Sequence, residues 1–563
     1  MSRLKVALVT TPPSVRSGIG DYTLHLLPYL CEFVDVDVFV ERIGEGDRDP
    51  ERWGAEVTVR EAQELDPRKY DQVLYQLGNE LSHAFMVRMI RAIGGTVMQH
   101  DWVLFDVASV AYPGIARGGL KGHALVLREG GPDQLRTYLQ NWADRRAQRT
   151  QPTLKVDASG HAGSLLYGWH GVEDNGRWIA DYASLRVPAK GVAEVEIALH
   201  GDAQRSVSIR QGPQVLAEGA PGTFKVIPTG QDEPLIEIET AGVRAFKEQK
   251  KHGDARRLAA FVEGVSWRDD DGRHDLDLSV APAVEVPNIS LARDRFKLPL
   301  NRSVVRFADA FLVHSQYVKR SILEERNATT PVGVVHHGSE RRWRDEDRRV
   351  ARRALGLDEA WTEGFLVTSF GGVQAHKRID RALDALAEAR RERDDIRMVL
   401  AGRVDGGDFD PRAYARRLGI EDAVYFAGFV SDEDAWEWLH ASDVALNLRG
   451  PTSGGTSGGI FRAFSVGRTV IASDAAEQSE LPDSCVLKVP LGEGEVDALA
   501  RQMVDLRDDP DLRDRLERAV RHFVGEECHW GLVAARYAEC LERFPKPKTT
   551  ARNLIKLRLT LGN

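Results

Sequence analysis

Along the first 112 positions of the chain, segments with the hydrophobic period of a strand alternate with segments that have the period of a helix. Residues 34–40 alternate valine or phenylalanine with Asp35 and Asp37, and this period of two predicts a strand. Short apolar runs at 4–9, 73–77 and 96–99 predict three more strands, and a helical pattern starts at about Asp21. Strands interleaved with helices predict βαβ units in a parallel sheet.

The pattern changes twice after this region. Residues 113–150 are polar and helical in pattern, whereas 154–280 alternate with a period of two between turn clusters such as Gly219-Ala220-Pro221-Gly222. The mixed pattern then returns, with strands predicted at 310–314 and 332–335 and a helix from about Tyr317. The all-β stretch therefore predicts a small β-sandwich inserted into the first α/β domain.

A second α/β pattern covers residues 360–540. Its predicted strands are 365–369, 398–401, 424–427, 444–446, 470–471 and 486–489, with helices such as 379–390 and 434–440 between them. We predict an α/β fold of two Rossmann-like domains that face a cleft, with a β-sandwich inserted in the N-terminal domain. The predicted boundaries are 1–150 and 286–345 for the N-terminal domain, 151–285 for the sandwich, 346–545 for the C-terminal domain and 546–563 for a basic tail.

Composition narrows the class of protein. The chain is 42% apolar and 29% charged, which is ordinary for a soluble globular protein, and its net charge of −9 gives no general attraction to nucleic acid. Its four cysteines are widely spaced and form no metal-ligand or disulfide pattern, which favours a reducing cytoplasm. No apolar run is long enough to predict a membrane-spanning helix or a signal peptide.

Candidate ligand groups follow the predicted strands, where open α/β sheets bind their ligands. Ser17-Gly18-Ile19-Gly20 follows the first strand and precedes a helix, an arrangement that suits a phosphate or a sugar; a plain tight turn is the alternative. His100-Asp101 follows the strand at 96–99, and its imidazole can bond a sugar hydroxyl or serve only the core. No histidine has metal-ligand spacing beside cysteine or glutamate, so we expect no metal.

Two further segments favour an anionic ligand. Phe370-Gly371-Gly372 is followed by Lys377 and Arg378 at the head of a helix, which predicts either a diphosphate clamp or a solvated basic turn. The segment 449–459, Arg-Gly-Pro-Thr-Ser-Gly-Gly-Thr-Ser-Gly-Gly, follows a strand and opens a helix that contains Arg462. Its amide groups at a helix N-terminus suit a pyrophosphate; a merely flexible loop is the alternative, and no Walker A motif is present.

Together these segments resemble the retaining glycosyltransferases of family 4, which have the GT-B fold. The resemblance covers about residues 1–112 and 300–540 and depends on the order and spacing of its pieces. Those pieces are 17–22, 76–80 with His83, His100-Asp101, 308–317, 427–430, His529-Trp530 and 535–537.

The resemblance implies transfer of a sugar from a nucleotide-diphosphate sugar, a co-substrate, with retention of anomeric configuration and without a metal or cofactor. It implies catalytic roles for His100 and Lys377 and an acceptor side formed by Asn79, Glu80 and Asp101. The implied donor-binding residues are Gly18, Ile19, Gly20, Arg378, Phe429, Val430, Arg449, Thr456, Ser457, Gly458 and Arg462. The implied acceptor is a glycan or a lipid-linked glycoconjugate in polysaccharide or glycolipid assembly.

The chain departs from that family at three positions. The family carries two glutamates eight positions apart around the glycine-rich loop, whereas this chain has Gly454 or Gly455 at the first and Arg462 at the second. Gly372 also replaces the arginine that usually follows the first strand of the second domain. A catalytically silent GT-B protein that binds a glycan or acts as a scaffold is therefore the alternative hypothesis. A dinucleotide oxidoreductase is disfavoured because the full Gly-x-Gly-x-x-Gly fingerprint is missing.

Two segments outside the sugar-transfer motifs have alternative interpretations. Tyr167, Trp169, Trp178, Tyr182 and Trp267 in the insert suit either a sandwich core or stacking on sugar rings, and the insert can also extend the acceptor site or mediate oligomerisation. The basic, leucine-rich tail after Glu542 predicts either a frayed terminus or peripheral contact with an anionic inner membrane face.

Overall fold

A computed structural model describes most of the chain. The described residues are 3–150, 164–166, 168–173, 176–179, 182–201, 206–212, 214–230, 232–241, 259–279, 295–372, 375–402, 411–547 and 553. Tyr167, the start of the predicted insert at 154, and the predicted tail apart from 546, 547 and 553 lie outside these residues.

Strands and helices follow the predicted order. The described strands are β1 Lys5–Val9, β2 Asp35–Val40, β3 Thr58–Glu61, β4 Gln72–Leu77, β5 Thr96–Gln99, β6 Trp169–Glu173, β7 Gly176–Ile179, β8 Tyr182–Arg186, β9 Glu194–His200, β10 Ser206–Gln211, β11 Gln214–Gly219, β12 Thr223–Val226, β13 Leu235–Ala241, β14 Ala260–Asp269, β15 Gly272–Asp275, β16 Ala310–Val313, β17 Val332–Val334, β18 Phe365–Phe370, β19 Ile396–Ala401, β20 Val424–Gly428, β21 Val444–Asn447, β22 Val470–Ser473 and β23 Val486–Val489. The described α-helices are α1 Gly18–Phe33, α2 Ala84–Ile93, α3 Phe105–Ala111, α4 Gly114–Arg117, α5 Gly119–Thr150, α6 Arg302–Phe307, α7 Gln316–Glu325, α8 Arg348–Ala354, α9 Glu359–Glu363, α10 Ile379–Ala389, α11 Pro411–Leu418, α12 Asp432–Ala441, α13 Gly458–Ser465, α14 Glu495–Asp508, α15 Pro510–Phe523 and α16 Trp530–Arg543. None of these helices combines the length and the apolar character that crossing a bilayer requires.

The N-terminal half is built on one parallel sheet with the order β17-β16-β5-β4-β1-β2-β3. Its first five strands have the doubly wound order in which ligands bind at the carboxyl ends. Helix α1 begins at Gly18, three residues before the predicted start, because the Ser17 hydroxyl accepts a hydrogen bond from the Gly20 amide and caps the helix.

The C-terminal half repeats this architecture with the order β20-β19-β18-β21-β22-β23, again all parallel. The last helix, α16, packs on α1 of the N-terminal half, where the hydroxyls of Tyr22 and Tyr537 are hydrogen-bonded at 2.9 Å. Two Rossmann-like halves joined by a returning C-terminal helix form the GT-B fold, and the predicted fold class is confirmed.

The central region forms a separate compact unit of residues 139–294 together with 405–414. Its described strands make two antiparallel sheets, β11-β10-β13-β8 and β12-β9-β14-β7-β6, with β15 beside β14. Side chains from both sheets, such as Ile209, Ile238, Ile197 and Val262, belong to one buried core. Alternation of buried and less buried positions along β9 explains why the sequence shows a period of two here.

The aromatic residues of this unit divide between core and surface. Trp169 is fully buried, and its indole N–H donates to the Ser184 carbonyl, so it serves the core. Trp178, Tyr182 and Trp267 are only partly buried. The predicted boundaries, a role in glycan binding and a role in oligomerisation remain predictions.

Candidate functional site

The N-terminal half contributes the ends of β1, β4 and β5. Gly18, Ile19 and Gly20 form the first turn of α1, directly after the loop that follows β1. Gly20 is closely packed, since a β-carbon there would lie 2.9 Å from the Thr11 hydroxyl oxygen. This turn therefore requires glycine at position 20 for steric reasons.

The side chain of Glu80, which follows β4, lies against the N-terminus of α1. Its Oε1 accepts the Ile19 amide at 3.2 Å, so the carboxylate takes the place that an anion prefers at a helix start. Burial raises the pKa of Glu80, while hydrogen bonds from Ser17 and the Ile19 amide oppose that shift. The predicted donor-side loop and the predicted acceptor-side Glu80 are thus in direct contact, and an anionic ligand at this helix end has to compete with Glu80.

Asn79 and Asp101 have structural partners at the same edge. The Asn79 side chain caps α3, with its Oδ1 accepting the Asp106 amide and its Nδ2 donating to Asp106 Oδ2, both at 2.9 Å. Asp101 Oδ2 accepts the Asn79 amide at 2.9 Å. These contacts hold the side chain of Asn79 against α3, whereas the second carboxylate oxygen of Asp101 is directed elsewhere.

His100 is part of a buried hydrogen-bonded network. Its Nδ1 lies 3.1 Å from His314 Nε2, and its Nε2 lies 2.7 Å from the Gln76 amide. His314 Nδ1 is 2.9 Å from the Val335 carbonyl oxygen, so that nitrogen carries the proton and His314 Nε2 accepts from His100. Burial, with the neighbouring histidines, holds the pKa of His100 well below its ordinary value, and the ring is neutral.

The neutral state of His100 also fixes the orientation of Gln76. The structure places Gln76 Oε1 opposite His100 Nε2. With Nδ1 protonated, His100 Nε2 is an acceptor, so we infer that the Gln76 amide takes the flipped orientation, which has the same shape and presents its nitrogen. Both ring nitrogens of His100 are then engaged within the N-terminal half. The histidine that the sequence marks as catalytic is therefore anchored by Gln76 and His314, which sequence analysis did not select.

His337 follows β17 on the same side. Its Nδ1 donates to the Gly338 carbonyl at 2.8 Å, and the ring stacks on Phe461 at a centroid distance of 4.9 Å. Burial lowers the pKa of His337 to about 4, so this ring is also neutral. Its Nε2 lies beside Gly458, where a β-carbon would be 3.7 Å away, and presents an acceptor to the start of α13.

The C-terminal half contributes Lys377 and Arg378 after β18. Lys377 Nζ donates to the Phe370 carbonyl at 3.3 Å and lies beside Gly371, where a β-carbon would be 2.6 Å from that nitrogen. Arg378 forms a two-point ion pair with the fully buried carboxylate of Glu495. The positive charge of Arg378 is therefore already paired with a carboxylate.

The glycine-rich loop, residues 449–459, connects β21 with α13. Ser457 is the N-cap residue of α13, and its hydroxyl accepts a hydrogen bond from Arg449 at 3.2 Å. Arg449 Nε is buried and has no hydrogen-bond partner among the described residues. Gly458 is the first residue of the helix, and Thr456 is half-buried beside it. The loop therefore places a guanidinium and free amide groups at one helix N-terminus.

Three predicted residues flank this loop. Phe429, after β20, is 62% exposed, and the Arg16 guanidinium lies over its ring at 4.6 Å. Val430 packs against the core beside β18 and β19. The Arg462 guanidinium lies between the rings of Phe370 and Trp436, at 5.5 and 5.6 Å. Arg462 thus lies near the end of β18, and its role in donor binding stays a prediction.

The two halves meet at the glycine-rich loop. Ser453 Oγ donates to Asp101 Oδ1 at 2.8 Å, and the Val103 amide donates to the Ser453 carbonyl at 2.9 Å. A β-carbon on Gly455 would lie 2.0 Å from Asp101 Oδ1, so Asp101 fills the space that a side chain at 455 would need. Residues predicted for the donor and acceptor sides are therefore brought together across the cleft.

Glu477 is a candidate that sequence analysis missed. It lies in a 3-10 turn after β22, is 5% exposed, and accepts the Thr452 hydroxyl at 3.0 Å. The available signal was its position shortly after a predicted strand, the same signal that selected His100-Asp101. No group of three or more histidine, cysteine, aspartate or glutamate side chains that can hold a metal ion occurs within the described residues.

Comparison with known proteins adds sequence relationships to this geometry. Residues 364–509 match the family model described as Glycosyl transferases group 1. The chain is 28% identical over 280 residues to a D-inositol 3-phosphate glycosyltransferase of Streptomyces scabiei, covering 45% of this chain and 59% of that protein. It is 26% identical over 162 residues to a mannosylfructose-phosphate synthase of Agrobacterium fabrum, covering 24% of this chain and 34% of that protein.

A solved structure, Anabaena Alr3699/HepE in complex with UDP, aligns with 96% of this chain and 100% of its own at 13% identity, with a TM-score of 0.46. The alignments to the two curated relatives span from about a third to about three fifths of the relatives' own length. The matched family segment runs from the residue before β18 to the end of α14, and it includes Lys377, the glycine-rich loop and Glu477. Residues 364–509 of this chain are therefore a glycosyltransferase group 1 domain.

Proposed function

We propose that this protein is a retaining, metal-independent hexosyltransferase of family 4 that moves a sugar from a nucleotide-diphosphate sugar to a glycan or glycoconjugate acceptor. The observation that supports this most directly is that Lys377 and Arg449 both lie close to the start of α13, within residues 364–509. Lys377 Nζ bonds the Phe370 carbonyl oxygen, which a β-carbon on Gly459 would approach to 3.9 Å, and Arg449 bonds the N-cap residue Ser457. The Gly450 amide donates to the His376 carbonyl at 2.9 Å and so holds the loop beside Lys377.

The chemistry of a diphosphate leaving group fits these residues. During transfer the bond from the anomeric carbon to the diphosphate breaks, and the acceptor oxygen bonds to the same face of that carbon. The acceptor proton passes to the leaving diphosphate. Lys377, Arg449 and the first amides of α13 stabilise the charge that develops on the diphosphate, and preorganised charges of this kind need no metal.

His100 has a positioning role in this proposal. Because its two nitrogens bond Gln76 and His314, it fixes the ends of β4, β5 and β16 relative to one another. Asp101, the next residue, is thereby held against the glycine-rich loop. A ring anchored in this way shapes the sugar pocket without exchanging a proton.

The proposed donor site is tested by calorimetric titration of the full chain with a panel of nucleotide diphosphates and nucleotide sugars. One donor should bind with micromolar affinity, with or without Mg²⁺. Lys377→Ala should weaken that binding at least about tenfold, since a charge-assisted contact to the diphosphate is lost. Arg391→Ala removes an exposed cation at the end of the same helical segment and should leave the affinity unchanged.

A second function, a GT-B protein that binds a glycan or serves as a scaffold without turnover, is favoured by one observation. Position 455 carries no carboxylate and is closed by Asp101, and Arg462 stands at the second position where family 4 has a glutamate. The titration separates the two functions. Failure of every donor to bind to folded protein would contradict the transferase and favour the scaffold.

A further inference from the structure

Glu477 is buried at the carboxyl end of the C-terminal sheet. It belongs to the 3-10 turn Ala476–Glu480 that follows β22, next to the glycine-rich loop that follows the adjacent strand β21. The two segments touch, because the Thr452 hydroxyl donates to Glu477 Oε1 at 3.0 Å. The carboxyl therefore lies among the residues proposed to hold the diphosphate and the transferred sugar.

The second oxygen of this carboxyl has no partner. Glu477 Oε2 is buried, and no described residue bonds it. Leaving a buried polar atom unsatisfied costs on the order of 1–3 kcal/mol, so such atoms in native proteins call for an explanation. Glu477 also forms no ion pair among the described side chains, although Arg449 lies close enough to act on it electrostatically.

Electrostatics indicate what kind of group Oε2 is suited to bind. Burial raises the pKa of Glu477 to about 7, and the charge of Asp101 acts in the same direction, whereas hydrogen bonds from its own backbone amide and from Thr452, together with the charge of Arg449, oppose the shift. Tyr317 of α7 is also close to this carboxyl: burial raises the pKa of Tyr317, and the charge of Glu477 adds to that shift. Two neighbouring carboxyls repel a phosphate, and the described residues around them form no metal cluster, so the fitting ligand is a neutral hydroxyl donor.

We propose that Glu477 accepts a hydrogen bond from a hydroxyl of the transferred sugar and thereby determines which sugar the enzyme uses. The inference rests on the proposed transferase function and assigns a sugar-recognition residue within it. Lys377 and Arg449 bind the diphosphate, while Glu477 binds the neutral sugar beside it. A carboxylate acceptor that would otherwise be unpaired rejects analogues that lack the hydroxyl.

The test compares a nucleotide sugar with the free nucleotide diphosphate, using the donor identified by the panel. Glu477→Gln, which keeps the shape of the side chain, should weaken the nucleotide sugar about tenfold or more and leave the free nucleotide diphosphate within about twofold. Glu477→Asp should fall between the wild type and Glu477→Gln. Glu480→Gln, on the same turn, is the control: its carboxylate bonds the Gln316 amide and Arg320 and not the glycine-rich loop, so the substitution should change neither affinity.

A pH series gives a second readout that a purely structural role would not produce. Because an ionised carboxylate accepts a hydroxyl most strongly, wild-type affinity for the nucleotide sugar should rise as the pH passes through about 7. That rise should persist in Glu480→Gln and disappear in Glu477→Gln. Circular dichroism confirms that each variant is folded.

The outcomes separate the two levels of the proposal. If the wild type binds no nucleotide at all, the proposed function fails and this inference fails with it. If the wild type binds donor and Glu477→Gln binds the nucleotide sugar equally well, only the inference is overturned. An equal loss for the sugar and for the free diphosphate also overturns it, since Glu477 would then support the loop and not read the sugar.

Discussion

Buried charged side chains are paired differently at the two ends of the strands of the C-terminal sheet, which we call its amino-end edge and its carboxyl-end edge. At the amino-end edge, where β18, β21 and β22 begin, Arg352 bonds Asp443 at 2.6 Å and Arg468 bonds Glu517 at 3.0 Å. All four side chains are at least nine-tenths buried, and Arg348 adds a further bond to Glu517 at 2.5 Å. Each buried charge at this edge therefore has an opposite charge in contact.

At the carboxyl-end edge, the polar groups are only partly paired. Glu477 contacts a neutral hydroxyl, its Oε2 has no hydrogen-bond partner, and no described side chain forms an ion pair with it. Buried guanidinium Nε atoms without a hydrogen-bond partner occur at both edges, in Arg449 here and in Arg468 at the amino ends. Ligands of open α/β sheets bind at this edge. The comparison indicates that the paired charges at the amino ends stabilise the fold, whereas the unpaired carboxyl at the carboxyl ends fits the ligand site that we propose there.

A cavity of about 560 Å³ lies at the amino-end edge, among the charged side chains that are paired with one another. Arg352, Asp443, Arg468 and Glu517 line it. Its arginines and carboxylates bond one another, so an incoming ion would have to break existing ion pairs. The size of this cavity is therefore no indication of a binding site.

The largest expected effect comes from breaking the amino-end network. Asp443→Ala removes the partner of Arg352 and the acceptor of the Leu366 amide, which leaves a buried guanidinium uncompensated. The free energy of unfolding should fall by about 3–5 kcal/mol. Denaturant unfolding followed by circular dichroism measures this loss.

The control for this variant is Glu437→Ala, which removes an exposed partner of Arg344. It should cost at most about 1 kcal/mol, as for other surface ion pairs. At a temperature where Asp443→Ala is folded, its affinity for the nucleotide donor should equal that of the wild type. A large loss of affinity would show that the amino-end charges serve the ligand and would break the comparison.

Much of the fold could be predicted from the sequence because its signals are local. The alternation of Val34, Val36, Val38 and Val40 with two aspartates marks β2, and the Ser17 cap with the glycines marks the start of α1. The change from a mixed pattern to a period of two locates the antiparallel unit. These patterns arise because each strand or helix must bury one face, which a single segment of sequence reveals.

The candidate site was only partly predictable because its contacts are distant in sequence. Asp101 and Ser453 are 352 positions apart, and Arg378 and Glu495 are 117 positions apart. The sequence pattern predicts that each of these residues lies near a strand end, but it does not predict which of their side chains bond one another. Glu477 escaped notice for the same reason, since its unpaired oxygen is a property of the packed structure and not of the residues around it in the chain.

A second prediction concerns Glu477, because its substitution should raise the free energy of unfolding whereas substitution of Asp443 should lower it. Glu477→Gln should increase stability at pH 8, on the order of 3 kcal/mol, and change it little at pH 5. The reason is that the folded-state pKa of Glu477, about 7, lies above the ordinary value of 4.5 for a glutamate, so ionisation favours the unfolded chain. Wild-type stability should therefore fall as the pH rises from about 4.5 to 7, and the variant should lack that contribution.

Denaturant titrations at pH 5, 6, 7 and 8 measure this effect. Glu480→Gln, which loses only a partly exposed ion pair with Arg320, should show the same dependence on pH as the wild type. If Glu477→Gln were destabilising at pH 8, Glu477 would stabilise the fold in the way that Asp443 does. The distinction between the two edges would then be lost.

The smallest expected effect concerns the contact that joins the carboxyl-end edge to the N-terminal half. Ser453→Ala removes the hydroxyl that donates to Asp101, but the Asn79 amide still bonds that carboxylate and the Val103 amide still bonds the Ser453 carbonyl. We expect a loss of about 1 kcal/mol in the free energy of unfolding, because one partly buried hydrogen bond is lost and no charge is left unpaired. Ser479→Ala, at an exposed serine on the neighbouring turn, is the control and should have no measurable effect. A loss above about 3 kcal/mol would place Asp101 among the charges that hold the fold, and the carboxyl-end edge would then stabilise the protein as strongly as the amino-end edge does.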